Sequence, residues 1–185
     1  SVELHTAGGL PTDSSHGAYF DGGDYFSIPD NAIFYQDDDW TLDVWIKQSG
    51  TQGEASSIET GLFGQHTLTS NGNPRNVWHR SANKVWYYDY DSDRSCHFNM
   101  TGFDIEVANW NHIAYTYDVN LKMARMAYNG IFCEAILSNY TPSNNNNPFY
   151  IGRSQNSSGN DAHFNGYMNE FRISKGIVRW KNNFQ

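Results

Sequence analysis

The sequence predicts an all-β chain: a two-sheet antiparallel β-sandwich of jelly-roll type, built from about ten to fourteen short strands. Three observations predict it. Hydrophobicity alternates with a period of two in several runs. Clusters of Gly, Asn, Asp, Ser and Pro separate those runs. No stretch shows the three-to-four-residue apolar spacing of a long amphipathic helix.

In chain order, "FDGG" at 20–23 is a tight turn that needs glycine. "TLDVWIK" at 41–47 alternates, with Leu42, Val44 and Ile46 on one face and Thr41, Asp43, Trp45 and Lys47 on the other. "SNGNP" at 70–74 is a further turn. "WNHIAYTY" at 110–117 sets Trp110, His112, Ala114 and Thr116 against Ile113, Tyr115 and Tyr117. "YNGI" at 128–131 places Asn-Gly between two β-rich segments, the strongest short hairpin signal. "PSNNNNP" at 142–148 is a loop by composition. "FYIG" at 149–152 and "GYMNEFRI" at 166–173 read as strands, with the turn "SSGND" at 157–161 between them. "SKGIVR" at 174–179 suggests a single turn of helix. Neither a repeat nor a linker divides the chain, so residues 1–185 are expected to form one domain.

Composition narrows the function classes. A chain of 185 residues can bury about 70% of its unfolded surface, so a core without staples is expected. Aromatic residues make up 16% of it, and Tyr, Phe and Trp must build much of that core. The net charge of −8 argues against a nucleic-acid partner, which needs a basic footprint, and against an anionic membrane surface. No apolar run approaches the length of a membrane span, and residues 1–10 lack the charged start and apolar run of a signal peptide. The two cysteines, Cys96 and Cys133, are open to pairing or to burial as thiols.

Six segments then stand in a telling order: "AYFDGGDYFSIPD" (18–30), "WTLDVWIKQ" (40–48), "NWNHIAYTYD" (109–118), "YNGIFCEAIL" (128–137), "FYIGRS" (149–154) and "FNGYMNEFRISKGIVRW" (164–180). Together, over about residues 15–180, they resemble the laminin-G-like, or concanavalin A-like lectin/glucanase, superfamily. The closing "EFRISKGIVRW" is most similar to copies of this domain in phage and other viral proteins and in bacterial surface proteins. The resemblance implies that the first and last segments lie side by side. It also implies a structural calcium where they meet, with Asp21 and Asn169 as the matching oxygens. Asn169 stands where the family usually has Asp, which weakens the site, and Asp21 is equally able to cap its own Gly-Gly turn.

Glucanases on this fold carry a strand spaced Glu-x-Asp-x-Glu. The nearest segment is "GFDIEV" at 102–107, with Asp104 and Glu106 but Gly102 in the nucleophile's place. A retaining mechanism needs both carboxyl groups, so no enzyme is expected.

Sugar binding is the function favoured by the residues. Sugars present apolar ring faces and hydroxyl edges, which call for aromatic plates beside polar side chains. The densest supply is at 76–94: Trp78, His79, Arg80, Trp86, Tyr88, Asp89 and Asp91, with the loop at 144–147 and Arg153 completing it. The aromatics of 86–90 are equally candidates for core. "WYYDYDSDR" at 86–94 fails as an EF-hand, because Arg94 and Met100 occupy the positions of the required Gly and Glu. Three readings stay open for its aspartates: a solvated acidic face, a ligand face, or a calcium site of Asp89, Asp91 and Asp93.

The expected function is a non-catalytic carbohydrate-binding or adhesion module of a viral (phage) or cell-surface protein, cut from a larger parent and placed outside the cell or on a virion. Its partner would be a glycan or a surface protein, and oligomerisation would come through the parent assembly. The alternative is a structural or protein–protein module decorating a capsid, tail or cell surface.

Overall fold

A computed structural model describes residues 3–6, 16–49, 60–65, 76–81, 84–89, 94–99, 109–133, 137–142, 144, 146–155 and 161–184. The predicted turn at 70–74, the first four residues of that at 157–161, the glucanase-like segment 102–107, and Asp91 and Asp93 lie outside these residues.

Fifteen strands form among the described residues, one more than the upper expectation, because several are only two or three residues long. They are β1 (Glu3–Thr6), β2 (His16–Asp21), β3 (Phe26–Ile28), β4 (Trp40–Gln48), β5 (Thr60–Gln65), β6 (Asn76–Ser81), β7 (Lys84–Asp89) and β8 (Arg94–Asn99). They continue with β9 (Asn111–Asp118), β10 (Met123–Tyr128), β11 (Ile131–Phe132), β12 (Phe149–Ile151), β13 (Arg153–Gln155), β14 (Asp161–His163) and β15 (Asn165–Lys175). One 3-10 turn, Ala32–Phe34, begins at Asn31, whose side chain accepts from the Ile33 N–H. The strand pairings among the described residues are antiparallel. A seven-stranded sheet runs β1-β2-β15-β4-β9-β10-β11, a six-stranded sheet runs β3-β12-β5-β6-β7-β8, and β13 and β14 pair separately.

The two large sheets pack face to face. From the first, Leu42, Val44 and Ile46 of β4 and Ile113, Tyr115 and Tyr117 of β9 enter the core, as their alternation predicts. The other sheet supplies Phe63, Val85, Tyr87 and Phe149. Contacts cross the seam at Tyr87–Tyr115, with ring centroids 4.6 Å apart, and at Phe63–Phe171, at 5.5 Å. Cys133 lies in the same core cluster.

The first and last family segments do lie side by side, with β2 paired to β15 from Asn165↔Asp21 to Met168↔Ala18. The hairpin at "YNGI" also forms. Asn129 and Gly130 take φ of 48° and 80°, the two left-handed residues of the turn joining β10 to β11.

Two sequence expectations fail here. The strand alternation across 166–173 is broken by a bulge: β15 takes three steps from Asn169 to Arg172 while β4 takes two from Trp45 to Asp43. The predicted helical turn at 174–179 is absent. Strand pairing claims the backbone through Lys175↔Trp40, and Gly176 then turns the chain at φ 81°, its N–H bonded to Asp39 O at 2.6 Å.

After that turn the chain runs back over the outer face of the seven-stranded sheet. Thr41 Oγ1 donates to Ile177 O at 2.8 Å, Arg125 Nη1 to Lys181 O at 2.8 Å, and the Phe184 N–H to Gly130 O at 2.9 Å. This strap explains why every residue of β9 is buried, although only half of them face the core.

Candidate functional site

The strap and the sheet beneath it frame an open cavity of about 420 Å³. Its floor comes from outward positions of adjacent strands. Asp43 and Trp45 stand on β4, His112 on β9 and Arg172 on β15. Trp110, just before β9, and Trp180 and Phe184 of the strap add aromatic walls, and Glu170 and Asn129 stand on the rim.

Asp43 is the electrostatic centre. Its carboxylate is 3% exposed and accepts a fork from Arg172, Nε to Oδ2 at 3.0 Å and Nη2 to Oδ1 at 2.9 Å. His112 Nε2 lies 3.5 Å from the same Oδ1. Burial by itself would push the Asp43 carboxyl up, but its bonds to His112 and Arg172 outweigh that and hold it below its usual range. Its hydrogen bond to Asp43 likewise raises the Arg172 guanidinium, although nearly half of that side chain is exposed.

The aromatic rings gather around His112. Trp45 lies 4.9 Å from it, Trp180 5.6 Å and Phe184 5.7 Å, the last two edge to face. Trp180 and Phe184 stack on each other at 4.3 Å with 13° between planes. Asn129 fixes the far side: its side chain accepts the His112 backbone N–H at 2.8 Å and donates to Asn111 at 3.1 Å. Only glycine fits beside it, since a Cβ on Gly130 would collide with the Phe184 carbonyl. Trp110 is 9% exposed, and its indole N–H has no hydrogen-bond partner among the described residues.

The bulge shapes the rim. Its extra residue brings Glu170 into the left-handed region at φ 52°, and lets Arg172 fall opposite Asp43. Bulges of this kind re-aim side chains next to functional sites.

The residues singled out from sequence lie elsewhere. Trp78, His79 and Arg80 are on β6, and Trp86 and Tyr88 on β7, both in the other sheet. Register divides them. Trp78 and Arg80 pair with the buried positions Tyr87 and Val85, whereas His79 pairs with Trp86. The expectation of a solvated acidic or ligand face at Asp89 is corrected. Asp89 is fully buried and accepts from Tyr140 Oη at 2.5 Å, because Val85, Tyr87 and Asp89 form the core face of β7. Arg153 is 7% exposed, with its guanidinium over the rings of Tyr25 at 4.6 Å and Tyr150 at 5.6 Å, and it does not line the cavity.

The proposed calcium pair does not converge. Asp21 is opposite Asn165, and Asn169 is four residues further along β15, about 13 Å at ~3.3 Å per residue. Asp21 caps its own turn instead, accepting the Gly23 N–H at 2.8 Å, and its carbonyl is taken by Asn165 Nδ2 at 3.2 Å. Among the described residues no group of three or more His, Cys, Asp or Glu is gathered for a metal.

Asp43, Trp45, Trp110, His112, Arg172, Trp180 and Phe184 are not among the site residues that the sequence suggests. The signal was present in the two alternating strands, whose outward faces carry Asp, Trp and His where a solvated face needs only small polar residues.

The chain is an all-β sandwich that carries an aromatic-walled cavity on one sheet. The concanavalin A-like lectin/glucanases superfamily model, Laminin_G_3, matches residues 20–180, and the chain belongs to that family. No curated protein matches it in sequence. Similar solved structures include domain 4 of the extracellular arabinanase AbnA of Geobacillus stearothermophilus, in complex with arabinotriose. It is 17% identical, with 95% of this chain and 76% of that chain covered at a TM-score of 0.64. The CBM40 module of the Ruminococcus gnavus IT-sialidase, bound to α2,3 sialyllactose, is 12% identical, with 88% and 91% covered at 0.68. Domains LG4-5 of the mouse laminin α1 chain are 14% identical, with 89% and 44% covered at 0.63. At these identities the likeness is one of fold.

Proposed function

We propose that this chain is a non-catalytic carbohydrate-binding module, with the Trp45–Trp110–Trp180–Phe184 cavity as its binding site. The carrying observation is the juxtaposition of those rings with the Asp43–Arg172–His112 cluster on one floor. Aromatic faces take the C–H faces of a sugar ring, and the carboxylate, guanidinium and imidazole take its hydroxyls. The volume falls in the range of small-ligand sites, about 300–1,000 Å³. Two of the similar folds were solved with oligosaccharides bound, which supports the reading.

The site is poorly suited to glycoside hydrolysis. A hydrolase needs a paired acid and nucleophile that reach the sugar, and the Asp43 carboxylate is already engaged by Arg172 and His112. We also read the two sheets as the layers of a concanavalin A-like jelly roll, and place the module on a secreted, cell-surface or virion-surface parent.

The test is a tryptophan-fluorescence titration with neutral oligosaccharides, wild type against Trp180→Ala. Saturable quenching in wild type and at least about tenfold weaker binding in the variant, ~1.4 kcal/mol, are the expected results. No binding of any oligosaccharide at millimolar concentration would favour a structural or protein–protein role.

A further inference from the structure

We infer that the cavity selects its glycan by charge, taking neutral sugars and excluding those whose contacting residue carries a carboxylate or sulfate. The inference rests on the sugar-binding reading of the same cavity and deepens it.

Recognition of an acidic sugar needs a cation free to receive it, and a planar carboxylate is best met by the arginine fork. Among the described residues the cavity has one arginine, and its Nε/Nη2 edge is taken. Arg172 directs Nε and Nη2 at the two oxygens of Asp43, at 3.0 and 2.9 Å. The pair is thereby neutralised inside the protein. What remains at the rim is Glu170, an exposed carboxylate held there by the bulge at φ 52°. Two carboxylates against one guanidinium leave the lining with one net negative charge when His112 is neutral. The whole chain, at −8, adds a repulsive field of the same sign. An acidic sugar would therefore meet like charge at the rim and a guanidinium whose charge Asp43 already balances.

A neutral sugar finds a matched set. Asp43 and Glu170 accept hydroxyl protons, the remaining Arg172 N–H groups donate, and the buried Trp110 N–H is a donor awaiting an acceptor. Leaving such a donor unmet is unfavourable, and a hydroxyl oxygen satisfies it without bringing charge.

The test is calorimetry on the full chain with matched probes: lactose and arabinotriose as neutral ligands, 3′-sialyllactose and trigalacturonic acid as acidic ones. It is run on wild type and Glu170→Gln at low and high salt. The expected result is binding of at least one neutral probe, with salt-independent affinity. Acidic probes should bind at least about tenfold weaker, equivalent to ~1.4 kcal/mol, and Glu170→Gln should narrow that gap. Acidic probes binding as tightly as neutral ones, or a gap untouched by Glu170→Gln, would overturn the selectivity and leave the sugar site standing. Binding of none of the probes would overturn both.

Discussion

Arg172 reaches across from β15 to close a two-bond fork on the buried carboxylate of Asp43, and that fork exists only because β15 carries one extra residue between Asn169 and Arg172. Without the bulge, the outward and inward positions of β15 would exchange beyond Asn169. One irregularity thus sets both the floor of the cavity and the place of Glu170 on its rim.

Asp43→Ala should be strongly destabilising, by about 3 kcal/mol, because it strands His112 and a partly buried Arg172. Arg172→Ala should cost at least as much, about 3 kcal/mol, since it leaves the buried Asp43 carboxylate without its guanidinium. Chemical denaturation of both single variants and the double variant checks this, and the double should cost less than the sum.

The same carboxylate sets an acid limb. Its folded-state value is depressed, so its contribution is fully present above the unfolded value near about 3.9 and is lost as pH falls through the lower folded value. Urea midpoints measured from pH 5 downward should fall less steeply in Asp43→Asn than in wild type.

Glu170 lies in the left-handed region, where a non-glycine residue is strained by about 1–2 kcal/mol. Glu170→Gly removes that strain while adding unfolded-state entropy, so stability should change by less than about 1 kcal/mol. Glu170→Val, β-branched at the same φ, should cost about 2 kcal/mol. Thermal melts of the two variants distinguish a bulge that needs this conformation from one that can relax.

Asp89 offers a contrast. Tyr140 Oη donates to it at 2.5 Å, and Tyr87 Oη lies 2.8 Å from Tyr140 Oη, all inside the sandwich. Burial is the first cause that pushes the Tyr140 hydroxyl far above its ordinary value, with nearby Tyr115 and Asp89 adding to it. Tyr140→Phe should therefore cost about 2–3 kcal/mol of stability by removing a donor to a buried acid. It should leave glycan affinity unchanged when both are measured on the same preparation.

These residues show what was legible. Period-two alternation in 41–47 and 110–117 gave the core faces of β4 and β9, and Asn129-Gly130 gave the hairpin, because both are local backbone properties. The site was not local. Trp180 and Phe184 reach it only because Gly176 turns the chain back over the sheet, and Arg172 only because of the bulge. Aromatic density points to 76–94 instead, yet in a chain whose core is built of rings, density alone does not separate a plate from a core residue. Tyr87 and Asp89 proved to be core.

The most direct test follows the indole N–H signals of the six tryptophans by NMR during titration with a neutral oligosaccharide. Trp40, whose N–H is bonded to Ile33 O at 2.8 Å in the core, serves as the internal control. The account predicts that Trp45, Trp110 and Trp180 shift while Trp40, Trp78 and Trp86 stay in place. Shifts confined to Trp78 and Trp86 would put the binding face on the six-stranded sheet and contradict it.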